Sequence, residues 1–148
     1  MAGERYAVDV AMRWSDQDAY GHVNHARVVT LLEEARTALL FDEATRAGVS
    51  AFEAGLLVSA PEVRYRRPIP WGPGGVRVQM WVHELRAASF RVGYRLLLIG
   101  EDGNGGEARR PAVEASTQLV PYELAAARPR RLTPQEREFV GRYLEDGP

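Results

Sequence analysis

The chain contains no cysteine. Disulfides, thiolate catalysis and cysteine-ligated zinc are therefore excluded, and nothing points to an oxidising compartment. Neither sign of charge dominates: 19 basic side chains stand against 20 acidic ones, a formal net charge of -1. A dedicated nucleic-acid or membrane-surface binder needs a concentrated positive field, and this balance argues against both. Long apolar runs are missing as well. Stretches such as Leu96 to Ile99 are far short of a membrane span, and the opening Met-Ala-Gly-Glu-Arg has no apolar segment behind it, so no signal peptide is expected. What remains is 148 residues, 45% hydrophobic and 26% charged, with no internal repeat. That composition fits one globular domain spanning 1–148, expected to be soluble and cytoplasmic.

The periodicity of the chain changes twice. Tyr6, Val8, Val10, Met12 and Trp14 alternate with Ala7, Asp9, Ala11 and Arg13, which predicts a strand over 6–14. Ser15 to Gly21 breaks the alternation as a polar loop. Val28, Leu31, Leu32, Ala35, Ala38 and Leu39 then recur at helical spacing, with Asn24 placed as N-cap and Gly48 just past the end, which predicts one long helix over 24–47. Strands are expected again over 56–67, 76–86, 89–99 and 112–120, with Pro68 and Pro121 as stops and Gly100 to Gly106 as a hairpin loop. Thr133-Pro134-Gln135-Glu136 carries the cap, proline and reciprocal glutamate of a helix start, so a short terminal helix is expected over 134–145. Consecutive strands with short turns imply an antiparallel sheet, and the long apolar helix stripe must be covered by it. The predicted class is α+β.

The densest polar cluster runs from Arg13 through Asp16, Asp18, His22 and Asn24 to His25, immediately before the long helix. The first N–H groups of a helix and its positive dipole end suit an oxyanion or a carbonyl oxygen. A carboxylate beside them supplies a nucleophile or a general base. Capping and loop solvation are the plainer roles for the same residue types. A metal site built from Asp16, Asp18, His22 and His25 matches no standard closed spacing, so no metal is expected. A triad on Ser15 lacks the strand–turn–helix elbow that would expose it. The tryptophans Trp14, Trp71 and Trp81 and the lone His83 are read as packing residues.

The run Arg13-Trp14-Ser15-Asp16-Gln17-Asp18-Ala19-Tyr20-Gly21-His22-Val23-Asn24, followed by Glu33-Glu34-Ala35-Arg36, resembles the signature of the 4-hydroxybenzoyl-CoA thioesterase-like family. Val63-Arg64-Tyr65-Arg66-Arg67-Pro68, Ser89 to Tyr94 and Arg128-Pro129-Arg130 extend the likeness over about residues 6–131. The resemblance implies a hotdog fold, an antiparallel sheet wrapped around one long central helix. It implies assembly as a homodimer or homotetramer with sites at the subunit interface, and no cofactor. Carried over by motif position, Asp18 is the catalytic carboxylate, Asn24 follows the His-Val pair, and the backbone N–H of His25 polarises the thioester carbonyl. Val28 stands where the family commonly has tyrosine and His25 where a second asparagine is usual. Pro73-Gly74-Gly75 replaces a Gly-Asp turn, so the acyl group stays open.

The reaction implied is hydrolysis of an acyl-CoA to a carboxylic acid and free CoA, with an acyl carrier protein thioester as the other possible substrate. Asp18 attacks directly or activates a water, while Asp16 is read as structural. His22 and Val23 are assigned to substrate, and Arg64, Arg66 and Arg67 are candidates for the CoA phosphates. The competing readings are a hotdog hydratase and a non-catalytic acyl-CoA-binding module. The enzymatic reading requires a buried acid and the helix mouth to converge on one small volume.

Overall fold

The computed structural model describes residues 3–100 and 110–145. Its strands are β1 (Tyr6–Val10), β2 (Leu56–Tyr65), β3 (Val76–His83), β4 (Phe90–Leu98), β5 (Val113–Glu123) and a short β6 (Arg128–Pro129). They form one sheet in the order β1-β3-β4-β5-β2, with β6 on β5 and every pairing antiparallel. Apolar residues at every second position give β3 and β4 their central place. Val76, Val78, Met80 and Val82, with Phe90, Val92, Tyr94 and Leu96, are fully buried on one face. Each large side chain so buried contributes roughly 1.5–3 kcal/mol.

Against that face lies the central helix, and the arrangement is a hotdog fold. The helix begins as α1 (His25–Thr37), capped by Asn24, whose side chain accepts from the Ala26 N–H. It ends at Gly48, in the left-handed conformation (φ 83°), where the Val49 N–H reaches back to the Ala44 carbonyl at 2.8 Å. Between these ends the helix is not uniform. Ala38–Glu43 is a π-helical turn, followed by α-helical Ala44–Arg46. Carried on with α spacing from Leu39, the buried stripe of Val28, Leu31, Leu32 and Ala35 would next reach Asp42, Glu43 and Arg46. The wide turn shifts the register so that Leu40 and Ala44 are buried instead. The expectation that Ala38 joins the core is corrected accordingly, since it is only half-buried.

Other boundaries differ for identifiable reasons. β1 stops at Val10, where its partner β3 begins at Val76. Trp14 leaves the alternation for a 3-10 turn, Trp14–Asp16, and is 76% exposed. β5 runs past Pro121, because the β4 pairing reaches only to Leu119 and no β4 carbonyl there requires the N–H that proline lacks. β6 pairs with Tyr122 and Glu123. The terminal helix α2 (Pro134–Gly141) starts with the expected Thr133–Glu136 capping box but is shorter than 134–145. β2 is an edge strand with no clean alternation, a register shift between Val58 and Ala60, and Pro61 within it. The hairpin read at Gly100 to Gly106 falls, past Gly100, outside the described residues. Among the described residues no helix is long and apolar enough to cross a membrane.

Candidate active site

The polar loop before the central helix is built around two aspartates with different tasks. Asp16 is fully buried. Its carboxylate accepts from the Arg13 N–H at 2.7 Å and from Arg13 Nη2 at 3.3 Å, and its carbonyl accepts from the Asn24 N–H at 2.8 Å. The acid that the sequence reading required to be buried, Asp18, is not; the buried one is Asp16, and its burial closes the loop.

Asp18 is half-buried at the rim. Its Oδ1 accepts from the backbone N–H groups of Tyr20 at 2.8 Å and His22 at 3.1 Å. Residues 18–22 fold into a tight turn, with Asp18 N–H donating to the His22 carbonyl at 2.7 Å and Gly21 at φ 77°. Only glycine adopts that backbone readily. Oδ2 of Asp18 has no hydrogen-bond partner among the described residues. The Tyr20 N–H holds the Asp18 carboxyl below the ordinary aspartate range; slight desolvation opposes this, and the His22 N–H and side chain add to it. The group is thus ionised at neutral pH with one oxygen pinned and one available.

The chain segment after β2 returns beside this turn. Val23 N–H donates to the Ile69 carbonyl at 2.8 Å, and Trp71 N–H to the Gly21 carbonyl at 2.9 Å. The Trp71 indole donates to the Arg13 carbonyl at 2.7 Å. Between the two segments opens a cleft of about 440 Å³, which brings Asp18, His22, Val23 and His25 together with Tyr65, Arg66 and Arg67 over a floor that includes buried Val28. His25, the first residue of the helix, lines the same space. Asn24 takes the Ala26 N–H on its side chain and those of Arg27 and Val28 on its carbonyl, so the N–H of His25 is without an acceptor among the described residues. Asn24 itself acts as the cap, which accounts for that residue type without a chemical role.

The arginine trio is divided. Arg66 and Arg67 line the cleft, Arg66 paired with Glu114 at 2.9 Å and Arg67 donating to the Arg110 carbonyl at 3.0 Å. Arg64 lines a different cavity on the sheet. Sequence reasoning did not single out Tyr65. Its hydroxyl donates to the His25 carbonyl at 2.8 Å and its ring meets the His25 ring edge-on, with centroids 6.2 Å apart. The two lie 40 residues apart, and no local pattern joins them. His83, read as structural, is buried on β3 with Nε2 3.4 Å from the Ser116 hydroxyl. Burial pushes its pKa down, Glu84 opposes this, and Arg91 adds to it. No group of three or more metal-binding side chains converges among the described residues.

Chemically, the cleft is lined by a residue with an ionised carboxylate and by the first residue of a helix, groups of the kind that acyl transfer from an activated ester uses. Comparison with known proteins identifies the family. The chain resembles a thioesterase of Thermus thermophilus solved with coenzyme A and zinc, at 28% identity over 90% of each chain and a TM-score of 0.69. It also resembles a DHNA-CoA thioesterase of Staphylococcus aureus, at 21% identity over 93% of this chain and 89% of that one, with a TM-score of 0.73. A protein of Pseudomonas aeruginosa strain PAO1 superposes with a TM-score of 0.79 at 20% identity, over 97% and 94% of the two chains. No curated protein matches by sequence. The family model of the thioesterase-like superfamily covers residues 12–137, from the start of the polar loop to within α2, and with it the conclusion follows that the chain belongs to that superfamily and is a thioester hydrolase.

Proposed function

We propose that the chain hydrolyses acyl-CoA thioesters with Asp18 as nucleophile or general base. The observation that carries this reading is the shared cleft, whose lining includes both Asp18, with Oδ2 unpartnered among the described residues, and His25, with its N–H likewise unpartnered. A thioester is already activated, because sulfur overlaps poorly with the carbonyl and leaves as a thiolate. A polarised carbonyl and one nucleophile then suffice. The His25 N–H holds the carbonyl oxygen, and one such donor is worth about 3 kcal/mol at the transition state. Asn24 fixes the helix start that presents it. Asp18 then either forms a mixed anhydride, later hydrolysed, or takes a proton from the attacking water.

His22 and Val23 border the acyl end of the substrate, and Arg66 and Arg67 meet the CoA phosphates, as their place in the cleft supports. An acyl carrier protein thioester would present the same acyl-sulfur group to Asp18. The assembly that fits is a homodimer, or a homotetramer built from it, acting in the cytoplasm. Its support is the edge strand β2, which leaves Leu57 42%, Val58 44% and Tyr65 49% exposed, Tyr65 lining the cleft.

The test is a panel of acyl-CoAs assayed for thiol release with wild type and Asp18→Asn side by side. Turnover in the wild type and its loss in the variant are expected. Hydration of enoyl-CoA without thiol release would favour a hydratase, and binding without turnover would favour a non-catalytic module.

A further inference from the structure

The loop that carries Asp18 belongs to a small ladder of three segments. Gln17 pairs antiparallel with Val23, the Asn24 N–H donates to the Asp16 carbonyl, and Asp18 N–H bonds the His22 carbonyl to close the turn. On the other side of residues 21–23 lies the segment 69–71, with His22 opposite Pro70.

The sequence makes that third segment stiff. Pro68 and Pro70 each fix their own φ, and Ile69, which precedes a proline, is held extended. Alternate residues of an extended chain turn their backbone groups to the same side. Ile69 and Trp71 turn theirs to the loop, where the Ile69 carbonyl accepts from Val23 at 2.8 Å and the Trp71 N–H donates to Gly21 at 2.9 Å. The prolines occupy the other positions, where a missing N–H costs no ladder bond.

Those two bonds hold only the second leg of the hairpin, residues 21–23. Asp18 stands where the first leg ends, and the Trp71 side chain reaches that leg directly. Its indole N–H donates to the Arg13 carbonyl at 2.7 Å, an oxygen that also accepts from the Asp16 N–H at 2.9 Å. The Arg13 N–H in turn donates to the buried Asp16 carboxylate at 2.7 Å. One residue, 58 positions down the chain from Arg13, therefore grips both legs, the second through its backbone and the first through its side chain. Asp18 lies between the two grips. Trp71 is half-buried and is not among the residues that line the cleft, so it acts on Asp18 through the loop.

We propose that Trp71 is a positioning residue for thioester hydrolysis, its indole N–H holding the first leg of the hairpin against the second so that Asp18 keeps its place. The inference rests on Asp18 as the reacting carboxylate, while the tether itself is a property of the loop.

The test compares Trp71→Phe with Trp71→His in the full-length protein. Phenylalanine keeps a ring and loses the donor. Histidine carries Nε2 at the place in its five-membered ring that the indole nitrogen occupies, and so keeps a donor. Two readings are taken on each: thiol release from acyl-CoAs, and the 13C titration of the Asp18 carboxyl, assigned from Asp18→Asn. In Trp71→Phe, kcat should fall about 3- to 10-fold, the worth of one hydrogen bond. KM should stay within about twofold, because no wall of the cleft is altered. The N–H contacts of Tyr20 and His22 to Asp18 loosen with the leg, so its pKa should rise toward the ordinary aspartate value. Trp71→His should return both readings toward wild type. A shifted titration with an unchanged rate would uphold the tether and overturn the Asp18 assignment. An unshifted titration, or a histidine variant no better than phenylalanine, would overturn the tether whatever the rate. Should Trp71→Phe fail to fold, hydrogen exchange of the wild type decides. Equal protection of the Trp71 indole and the Tyr20 and His22 amides supports one opening unit, and a freely exchanging indole beside protected amides overturns it.

Discussion

The Tyr65 hydroxyl and the His25 carbonyl are hydrogen-bonded at 2.8 Å, tying the end of edge strand β2 to the first residue of the central helix. The bond fixes the helix mouth relative to the cleft wall. In Tyr65→Phe the ring contact with His25 can persist while the tether is lost. The net worth of such a bond is about 0.5–1.5 kcal/mol. A fall in kcat/KM of about 2- to 10-fold is therefore expected, with a thermal midpoint close to wild type. Steady-state kinetics beside a melting curve decides, and unchanged kinetics would remove Tyr65 from the site.

Asp18→Asn is the sharpest test of the carboxylate. The amide oxygen can still accept from the Tyr20 and His22 N–H groups, so the turn is preserved while the charge is lost. Thiol release should drop by about 10²- to 10⁴-fold, the range for loss of a positioned base. Asp16→Asn should act differently. It weakens the contacts to Arg13 that close the loop, and it should lower stability as well as rate.

The pH profile follows from the direction of the Asp18 shift. Its folded pKa lies below the ordinary aspartate value, so the active, ionised form persists into more acidic solution than a free aspartate would allow. The acid limb of kcat/KM should fall below that ordinary value. By linkage, the same carboxyl contributes stability above its unfolded pKa, and this contribution vanishes as pH falls through the folded one. A limb in the neutral range would assign the rate-controlling group elsewhere.

Glu136 predicts a large stability effect far from the cleft. It is fully buried, caps α2 through the Thr133 N–H at 2.7 Å, and accepts from both Arg130 terminal nitrogens at 2.7 and 2.9 Å. Arg130 also donates to the Ala51 carbonyl at 2.9 Å. Glu136→Ala leaves that guanidinium, 16% exposed, without its counter-charge. A loss of about 3 kcal/mol is expected in urea denaturation. Arg46→Ala breaks the exposed pair with Glu43 and should cost no more than about 0.5 kcal/mol.

Local chemistry was legible wherever one short stretch of sequence decides the outcome. Asn24 as cap, Gly48 as terminator, the Thr133–Glu136 box and the alternation of β3 and β4 all depend on neighbours within a few residues. The hotdog fold and the choice of Asp18 over Asp16 came through family resemblance, since spacing alone treats the two aspartates alike. The rest needed partners distant in the chain. Nothing near Tyr65 announces His25, and nothing near Arg64 says that it leaves Arg66 and Arg67 for another cavity. β2, expected over 56–67 and found at Leu56–Tyr65, was legible from its bounding turn residues although an edge strand shows no clean alternation. The end of β5 was misplaced at Pro121 because a proline stops a strand only where a neighbour asks for the N–H it lacks.

The wide turn at Ala38–Glu43 has a consequence for engineering the helix. A π turn holds in effect one residue more than an α turn, so this segment carries a surplus position. Removing Phe41, which is only half-buried, would let the segment relax to ordinary winding, with Ala44 moving up into the slot that the surplus now defers. A single-residue deletion, which in most buried helices rotates everything beyond it out of phase, is absorbed at this one place.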